Sequence, residues 1–528
     1  MQAPRTTPSP QVDLMAQPLA EDAKTARITV KRIVIDGATL IPTDQLHALV
    51  ADREGQTLSL AELEYLAQRI AEHYRAKGWY VRVYLPQQDV TDGTVHIQIV
   101  EGRFGGISLL NQPKRANALV VQNIITHRIQ EGAHLSAKDL ERGLLIANDL
   151  PGIQATGTLQ SGSQEGLADL AVQVHDKPIF AADIGANNFG SRSTGRAQLV
   201  GGLSLNNLSG IGDQASLRLL AAEHTYSANA GYSLPIGYSG LRLGATLSTL
   251  DYKLAKEYSN LNAKGKAHTG GLNASYPLIR QTNHNLYITT GYEHRRYNDD
   301  MLGNSLHRHR INAFTFGLNG DMRDQWGQGG VTWGGVQLHS GQMTIKDIAN
   351  GDKAQDAATT RTHGGYNKLT WNLSRLQNLA PGWAVQANLS GQFADKNLAS
   401  SEQFSLGGPY QVRAYPGNEG TGSQGALIQL ELHKELAPGW QAIAFYDVGT
   451  VRQYKNTWRN WNAFGRQPNR YTLQGAGLGV NWRVAGLVVN ATVAAPIGDN
   501  RGKSASGKNN DGTKSSSIRG WINLTHIF

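Results

Sequence analysis

Residues 179–528 alternate apolar and polar positions with a period of two, which is typical of β-strands with one apolar and one wet face. The pattern is clearest in segments 241–249, 383–391 and 487–493. Opposite the apolar positions stand Gly, Ser, Thr, Asn and Gln, where a soluble sandwich would need a dry core. These 350 residues predict a transmembrane antiparallel β-barrel of about 16 strands, at roughly 22 residues per strand and connection.

The ends of the predicted strands support a barrel. Ala-Pro-Gly-Trp occurs at 380–383 and again at 437–440, so a tight turn leads twice into a strand that begins with Trp. Tryptophan at strand ends is typical of the interfacial aromatic girdle of a membrane barrel. In the last strand, Ile522, Leu524 and Phe528 share one face with His526, and Phe528 is the final residue. We interpret Leu524 and Phe528 as the signal of a C-terminal strand that closes the barrel.

Two α+β units precede the barrel, at residues 28–102 and 103–178. In the first unit, Ser59 and Glu62 form a capping box, and apolar residues at helical spacing follow until Gly78 ends the helix. The predicted strands are 28–35, 80–85 and 95–100 in the first unit, and 104–110, 155–160 and 167–174 in the second. Helices are predicted over 118–128 and after Ser136. Two such units in tandem indicate a repeat architecture.

Composition and charge restrict the classes of partner that the chain is expected to bind. The chain has no cysteine, and it has no apolar run near the roughly 18 residues that a membrane helix needs. Residues 179–528 carry 33 Lys and Arg against 21 Asp and Glu, and residues 1–178 carry 17 against 20. The positive charge is spread over strands and loops without a nucleic-acid-binding signature, so a basic lumen or a rim facing anionic lipid fits better. The first residues lack a basic segment followed by an apolar one, so we expect a mature chain.

Arg413 and Asp447 form the candidate functional pair. Arg413 lies in an irregular Gly-rich stretch at 407–420, and strand alternation places Asp447 on the polar face of segment 440–449. Irregular backbone is tolerated at membrane depth only where it lies within protein or water. An Arg–carboxylate pair would fix this loop to the wall, at about 1 kcal/mol in a wet lumen and about 3 kcal/mol if partly dry. The alternative is that both charges are solvated separately.

These residues also resemble a known family. Val412-Arg413-Ala414-Tyr415 resembles the VRGY/F loop motif, and Phe445-Tyr446-Asp447-Val448-Gly449 matches the F-x-D-x-G strand motif, of the TpsB two-partner secretion transporters in the Omp85 superfamily. The resemblance implies that 28–102 and 103–178 are two periplasmic POTRA domains. It implies that 1–27 is a plug helix with its linker, and that 179–528 is an outer-membrane barrel with an inward-folded loop around 405–425. Ala414 departs from the motif, where Gly is usual.

The resemblance also implies a function. The POTRA domains would recognise an unfolded TpsA-type exoprotein, and the monomeric barrel would export it across the bacterial outer membrane, in contact with outer-membrane lipid. The transporters of contact-dependent growth inhibition (CdiB type) are the favoured comparison, with a CdiA-type toxin or adhesin as the partner. No nucleic acid is expected as a partner. An Omp85-type insertase remains an alternative, although it would favour more POTRA units. A passive porin or adhesin also remains, although it leaves 28–178 unexplained.

No catalytic chemistry is predicted. The sequence carries no nucleophile elbow, zinc-protease helix or phosphate-binding loop, so we expect neither enzyme activity nor a cofactor. His307 and His309 share a strand face, but the neighbouring arginines disfavour a metal. Asp299 and Asp300 are an acidic pair that is expected to be solvated.

Deleting residues 1–27 is expected to raise the single-channel conductance in a planar bilayer, because the resemblance places a plug there. The full-length chain, purified and reconstituted in the same way, is the reference. An unchanged conductance would show that this segment does not occupy the lumen.

Overall fold

A computed structural model describes residues 27–346, 351–462 and 467–528, with the side chains of 257 and 258 left out. The predicted plug, residues 1–27, lies outside the described residues except for Arg27. The first α+β domain consists of β1 (Arg27–Thr29), β2 (Arg32–Asp36), α1 (Thr43–His47), β3 (Thr57–Ser59), α2 (Leu60–Lys77), β4 (Val81–Tyr84) and β5 (Thr94–Glu101). Its main sheet has the order β2-β5-β4, with β2 and β5 parallel.

The start and the end of α2 follow from local chemistry. The Ser59 side chain accepts a hydrogen bond from the Glu62 amide, and the Glu62 carboxylate accepts one from the Ser59 amide at 2.8 Å. Gly78 ends the helix in the left-handed conformation, at φ 90°. Between them, Leu66, Ile70 and other apolar residues of the helix pack against the sheet to form the core of the domain.

The second α+β domain repeats this plan. It consists of β6 (Arg103–Leu109), α3 (Ala118–Thr126), α4 (Ala137–Asn148), β7 (Ile153–Ser161) and β8 (Leu167–Asp176). The sheet order is β6-β8-β7, with β6 and β8 parallel. Ser136 caps α4 by accepting a hydrogen bond from the Asp139 amide at 3.2 Å.

The rest of the chain forms a closed antiparallel barrel of 16 strands, which confirms the predicted fold class. The first eleven barrel strands are β9 (Phe180–Asn187), β10 (Gln198–Asn206), β11 (Gln214–Ala222), β12 (Thr225–Ile236), β13 (Leu241–Lys253), β14 (Lys264–Arg280), β15 (His284–Met301), β16 (Asn304–Asp324), β17 (Gly330–Lys346), β18 (Gly364–Ala380) and β19 (Trp383–Ala394). A short helix, α5 (Asp352–Ala358), lies between β17 and β18.

Two short strands, β20 (Phe404–Ser405) and β21 (Thr421–Gly422), pair with each other outside the barrel sheet. The last five barrel strands are β22 (Gln424–Ala437), β23 (Trp440–Arg452), β24 (Arg470–Val484), β25 (Leu487–Pro496) and β26 (Arg519–Ile527). The barrel closes between β26 and β9 through five residue pairs, from Asn523 opposite Asn187 to Ile527 opposite Asp183. Among the described residues, no helix has the length and apolarity to cross a membrane.

Side-chain exposure shows which face of each strand points outward. The outward residues of β13 include Leu243 and Leu247, and those of β23 include Trp440 and Tyr446. Both Pro-Gly turns lead into a strand that begins with an exposed Trp, and Trp440 stacks on Trp482 at 5.1 Å between ring centroids. Apolar side chains therefore face outward, and the polar face of the strands lines the lumen.

The second α+β domain is fixed to one end of the barrel, which we call the proximal end. Arg280, at the end of β14, donates two hydrogen bonds of 2.7 Å to the carboxylate of Asp149. Arg142 on α4 is buried and donates to the carbonyl oxygen of Pro277 at 2.6 Å. The carboxylate of Glu141 accepts a 2.8 Å hydrogen bond from the Thr282 amide. These contacts tie α4 to the turn between β14 and β15.

Local boundaries differ from the prediction in several places. The predicted strand 28–35 is split, because the amides of Lys31 and Arg32 bond to the Gly93 carbonyl rather than continuing a ladder. The helix predicted over 118–128 ends at Thr126. Alternation and spacing in the sequence identify the strands and helices. They do not identify the residue at which an element ends because its backbone amide bonds to a different part of the chain.

Glu101, at the end of β5, is a buried carboxylate that organises the first domain. It accepts hydrogen bonds from the amides of Thr39 and Leu40 at 2.8 and 2.7 Å, from the Thr39 hydroxyl, and from the Tyr74 hydroxyl at 2.9 Å. Burial raises the pKa of Glu101, but these hydrogen bonds outweigh burial and hold the pKa below its ordinary value of 4.5.

Replacing Glu101 by Gln is expected to lower the free energy of unfolding of the first domain by about 1–3 kcal/mol near pH 7, because a charged acceptor of several donors is lost. A lowered pKa stabilises the folded state above the ordinary carboxyl pKa, and this contribution disappears as the pH falls through the lowered value. The difference between wild type and Glu101→Gln should therefore shrink in acid.

Urea unfolding followed by helical circular dichroism measures this effect, because α1–α4 lie in the two α+β domains and, of the described α-helices, only the seven-residue α5 lies among the barrel strands. Glu72→Gln, an exposed change on α2, is the control. Equal stabilities of Glu101→Gln and wild type at neutral pH would contradict this role of Glu101.

Candidate functional site

The candidate site is built on the segment between β19 and β22, which we call the lumen loop (residues 395–423). It turns back into the barrel, and its middle part packs against the lumen face of β22–β25. The buried apolar residues of this contact are Leu406, Val412, Ala414 and Tyr415 on the loop and Leu427, Ile443, Phe445, Val451, Tyr471, Leu473 and Ala494 on the wall. The loop begins ten residues before the predicted boundary at 405, and residues 424 and 425 already belong to β22.

Arg413 and Asp447 are in direct contact. The guanidinium donates from Nε to Asp447 Oδ2 at 2.9 Å and from Nη2 to Asp447 Oδ1 at 2.6 Å. The Arg413 backbone amide also donates to Asp447 Oδ2, at 3.0 Å. Arg413 is 6% exposed and Asp447 is fully buried. The pair is therefore dry, and leaving either charge without its partner costs about 3–5 kcal/mol.

A second carboxylate completes the site. Arg413 Nη1 donates to Glu431 Oε1 at 2.6 Å, and Glu431 Oε2 lies 2.9 Å from His433 Nε2. The guanidinium carbon lies 3.5 Å from the centre of the Phe445 ring, so this motif residue covers the face of the cation. Arg413 is thus bound by two neighbouring strands, β22 and β23.

The loop tip also contacts the two strands that close the barrel. The indole Nε1 of Trp521, on β26, donates to the backbone oxygen of Arg413 at 2.8 Å. The Phe189 ring, just after β9, lies edge-to-face with Trp521 and with Tyr410 at centroid distances of 5.9 and 5.4 Å. The tip therefore spans the line where the first and last strands meet.

Glycines on the wall provide the space for the tip. A Cβ atom placed on Gly475 would lie 2.5 Å from Ala414 Cβ, and one on Gly449 would lie 2.5 Å from Leu406 Cδ2. A side chain at the glycine of the F-x-D-x-G motif would therefore displace Leu406. Ala414 does not adopt a positive φ, so the alanine at this motif position is accommodated without backbone strain.

The base of the lumen loop is anchored to a different part of the wall. Glu402 is 2% exposed and pairs with Arg295 on β15 and with Lys368 on β18, the latter at 2.9 Å. The far arm of the loop is held by Glu419, whose carboxylate accepts from Asn500 Nδ2 and from the Asn510 amide, both at 2.7 Å. Asn500 and Asn510 lie between β25 and β26.

The structure brings all six predicted motif residues together. Arg413, Asp447, Val412, Tyr415, Phe445 and Gly449 line one dry contact between the loop and the wall. Leu524 lies elsewhere, exposed on the outer face of β26, the strand that closes the barrel, and Phe528 is exposed directly after that strand.

Sequence reasoning missed Glu431, Trp521 and Glu402. Glu431 was recognisable as a polar position in the alternating segment Gln429-Leu430-Glu431-Leu432-His433, but its pairing with Arg413 depends on which strands are neighbours. No sequence signal distinguishes Glu402 from other loop acids.

The histidine and aspartate pairs have other partners. His309 stacks on Tyr297 at 4.6 Å, and Asp299 accepts a hydrogen bond from the Tyr252 hydroxyl at 3.0 Å. Within 27–346, 351–462 and 467–528, no group of three or more His, Asp or Glu has an arrangement suited to a metal ion.

Comparison with known proteins bears on this fold and site. The family of haemolysin secretion/activation proteins ShlB/FhaC/HecB matches residues 166–482, and the ShlB-type POTRA domain matches residues 28–102. The heme/hemopexin transporter protein HuxB of Haemophilus influenzae (strain 86-028NP) is 30% identical over 87% of this chain and 82% of its own length. The outer membrane transporter CdiB of Dickeya dadantii (strain 3937) is 26% identical over 80% of this chain and 74% of its own.

A solved structure has the same fold. CdiB from Escherichia coli superposes with a TM-score of 0.73 at 21% identity, covering 99% of this chain and 94% of the solved chain. At that identity the likeness establishes the fold alone: a 16-stranded barrel preceded by α+β domains.

Gly475→Val is expected to displace the loop tip and raise single-channel conductance, because its Cβ would lie only 2.5 Å from Ala414 Cβ. The matched control is Gly291→Val on β15, where the nearest atom to a new Cβ is 3.5 Å away. Equal conductance of the two variants and wild type would contradict the close packing of loop and wall.

Proposed function

Because this chain belongs to the ShlB/FhaC/HecB family of haemolysin secretion/activation proteins, we propose that Arg413 and Asp447 lock the lumen loop of a protein exporter. The protein is an outer-membrane transporter of the two-partner secretion type in the Omp85 superfamily. POTRA domains in the periplasm recognise an unfolded exoprotein, and the barrel translocates it. The proximal end of the barrel therefore faces the periplasm, and the opposite, distal end faces the cell exterior.

The observation that carries the lock is the burial of Arg413 between two carboxylates. Asp447 and Glu431 both belong to the wall, whereas Arg413 belongs to the loop, so the whole electrostatic contact crosses the boundary between them. Because this cluster holds the loop tip, the tip has two well-defined positions, paired and released, rather than a continuum. Release would expose the polar lumen face of β22 and β23 to a passing chain.

The base of the loop has a different role in this proposal. Glu402 holds the start of the loop against β15 and β18, on strands remote from β23. With that anchor intact, release of Arg413 would swing the tip about the base without pulling the loop out of the barrel. The Arg413–Asp447 pair would thus control opening of the lumen, and Glu402 would keep the loop inside the barrel.

Capture of the exoprotein would take place at the sheet edges of the POTRA domains. The strand orders place β2 and β4 at the edges of the first sheet and β6 and β7 at the edges of the second, where an extended segment can add as a further strand. The contacts of Arg142 and of Asp149 with the barrel hold the second domain at the periplasmic mouth. Folding of the exoprotein outside the cell would supply the free energy of export.

The partner is proposed to be a large secreted exoprotein of the TpsA class. Two kinds of relative suggest its identity: HuxB, described as a heme/hemopexin transporter protein, and the CdiB transporters, whose partner in this proposal would be a CdiA-type toxin or adhesin. The gene beside this one distinguishes them, because a large neighbouring exoprotein gene would encode the passenger. We also propose that the protein is a monomer and that its barrel contacts outer-membrane lipid.

Arg413→Ala and Asp447→Ala are each expected to lower secretion of the partner several-fold while the barrel still assembles. Arg413→Ala leaves two buried carboxylates without their cation, and Asp447→Ala leaves Arg413 with only one of its two carboxylates. Secretion is measured by co-expressing the neighbouring exoprotein and detecting it outside the cell. Heat-modifiable migration on electrophoresis reports assembly.

Arg218→Ala is the matched control, since Arg218 forms another Arg–Asp pair on the barrel wall, with Asp183 at 3.5 Å, but is 61% exposed. An exposed pair contributes about 0–1 kcal/mol, so this variant should secrete normally. Normal export by both Arg413→Ala and Asp447→Ala would refute the lock.

A further inference from the structure

The outer face of β13–β17 changes from apolar to basic toward the distal end of the barrel. An apolar row crosses these strands, and its exposed residues are Leu247, Leu272, Tyr292, Phe314 and Leu338. Above this row, at positions that keep the same outward alternation, stand Lys264, Lys266, His268, His294, Arg296, Arg308, Arg310 and Lys346. We call these eight residues the distal basic patch.

Strand register brings the members of the patch side by side. Arg296 lies opposite His268 on one neighbouring strand and opposite Arg310 on the other. Arg308 lies opposite Lys346. Like charges placed directly across strands repel each other, so this arrangement is unfavourable without a counter-charge.

The patch has fewer carboxylates than cations, since only Asp251, opposite Lys266, and Asp300, opposite Lys264, accompany it in the described register. Lys266 pairs with Asp251 at 3.0 Å. In the part of the chain that the structure describes, Arg296, Arg308 and Arg310 form no ion pair; Arg296 instead donates from Nε to His294 Nε2 at 2.9 Å. Three guanidinium groups are therefore available on the outer surface to an external anion.

A groove of about 510 Å³ joins the apolar row to the patch. Its apolar part is lined by Ala230, Leu247 and Gly270, and its polar part by His268, His294 and Arg296. A site that is apolar on the membrane side and cationic above it fits an acyl chain attached to a phosphorylated headgroup.

We propose that the distal basic patch binds the phosphorylated glycolipid of the outer leaflet, with the lipid A phosphates on Arg296, Arg308 and Arg310 and an acyl chain along the groove. The patch continues the lipid-facing surface of the barrel, at the end opposite the POTRA domains, where this leaflet lies. Arginine forms strong charge-assisted hydrogen bonds with phosphate, often in pairs. This inference rests on the outer-membrane placement of the protein and not on the lock.

An acidic segment of the exoprotein is the competing occupant. Translocation runs through the lumen, whereas the patch residues alternate to the outer face, away from Arg295 and Tyr297 on the lumen side of the same strand. The surface is thus accessible from the membrane and not from the conduit.

The test compares lipid A binding by the full chain in detergent with binding by the double variant Arg296→Gln/Arg310→Gln, using native mass spectrometry. We expect the variant to bind lipid A about tenfold or more weakly, since two charge-assisted contacts are lost. Arg501→Gln/Lys508→Gln removes two exposed cations from the connection between β25 and β26, and this control should bind as wild type does. Enzymatically dephosphorylated lipid A should also bind about tenfold or more weakly to wild type.

Unchanged binding by the patch variant would overturn the proposal, as would equal weakening by both double variants. Equal affinity of wild type for phosphatidylglycerol vesicles would overturn the assignment to lipid A, and binding of purified exoprotein to the patch would favour the competing occupant. Heat-modifiable migration confirms folding of each variant. Secretion is scored separately, so failure of lipid binding with normal export is distinguishable from failure of the exporter function.

Discussion

The buried guanidinium of Arg413 is the interaction on which the arrangement of the lumen depends. A cation that is only 6% exposed is stable where acceptors are available for its N–H donors. Here the carboxylates of Asp447 and Glu431 accept hydrogen bonds from all three guanidinium nitrogens. Because both acceptors lie on the wall, the charge balance of the site requires the loop to be inside the barrel. The Trp521 hydrogen bond and the space left by Gly475 then fix the tip at one place.

The remaining buried charges of the loop are also matched by polar partners on the wall. Glu402 is matched by Arg295 and Lys368, and Glu419 by the amides of the connection between β25 and β26. The irregular backbone of residues 395–423 is thus tied to three separate regions of the wall. An irregular segment at membrane depth is tolerated because it lies against protein and lumen and not against lipid. On the outer surface, by contrast, the guanidinium groups of the distal basic patch form no ion pair with the described residues and are left to an anionic lipid headgroup.

The strand number, the tandem α+β units and the approach of Arg413 to Asp447 were predictable, because each depends on local alternation or on a motif. Alternation alone places Asp447 on the lumen side, and the Gly-rich stretch marks Arg413 as part of an irregular segment. The contacts with Glu431, Trp521 and Glu402 were not predictable, since they depend on which strands become neighbours and on where the chain closes. The break between β1 and β2 was missed for a similar reason: a carbonyl of Gly93, distant in sequence, takes the amides of the predicted strand.

The most direct test of this account is a double-mutant cycle between Arg413→Gln and Asp447→Asn, read as single-channel conductance in planar bilayers. If the two side chains act as one contact, the double variant should change the conductance by less than the sum of the two single changes, because the contact between Arg413 and Asp447 is already lost in each single variant. Additive changes in conductance would show that the two residues act independently, and would contradict the central role given to their pairing.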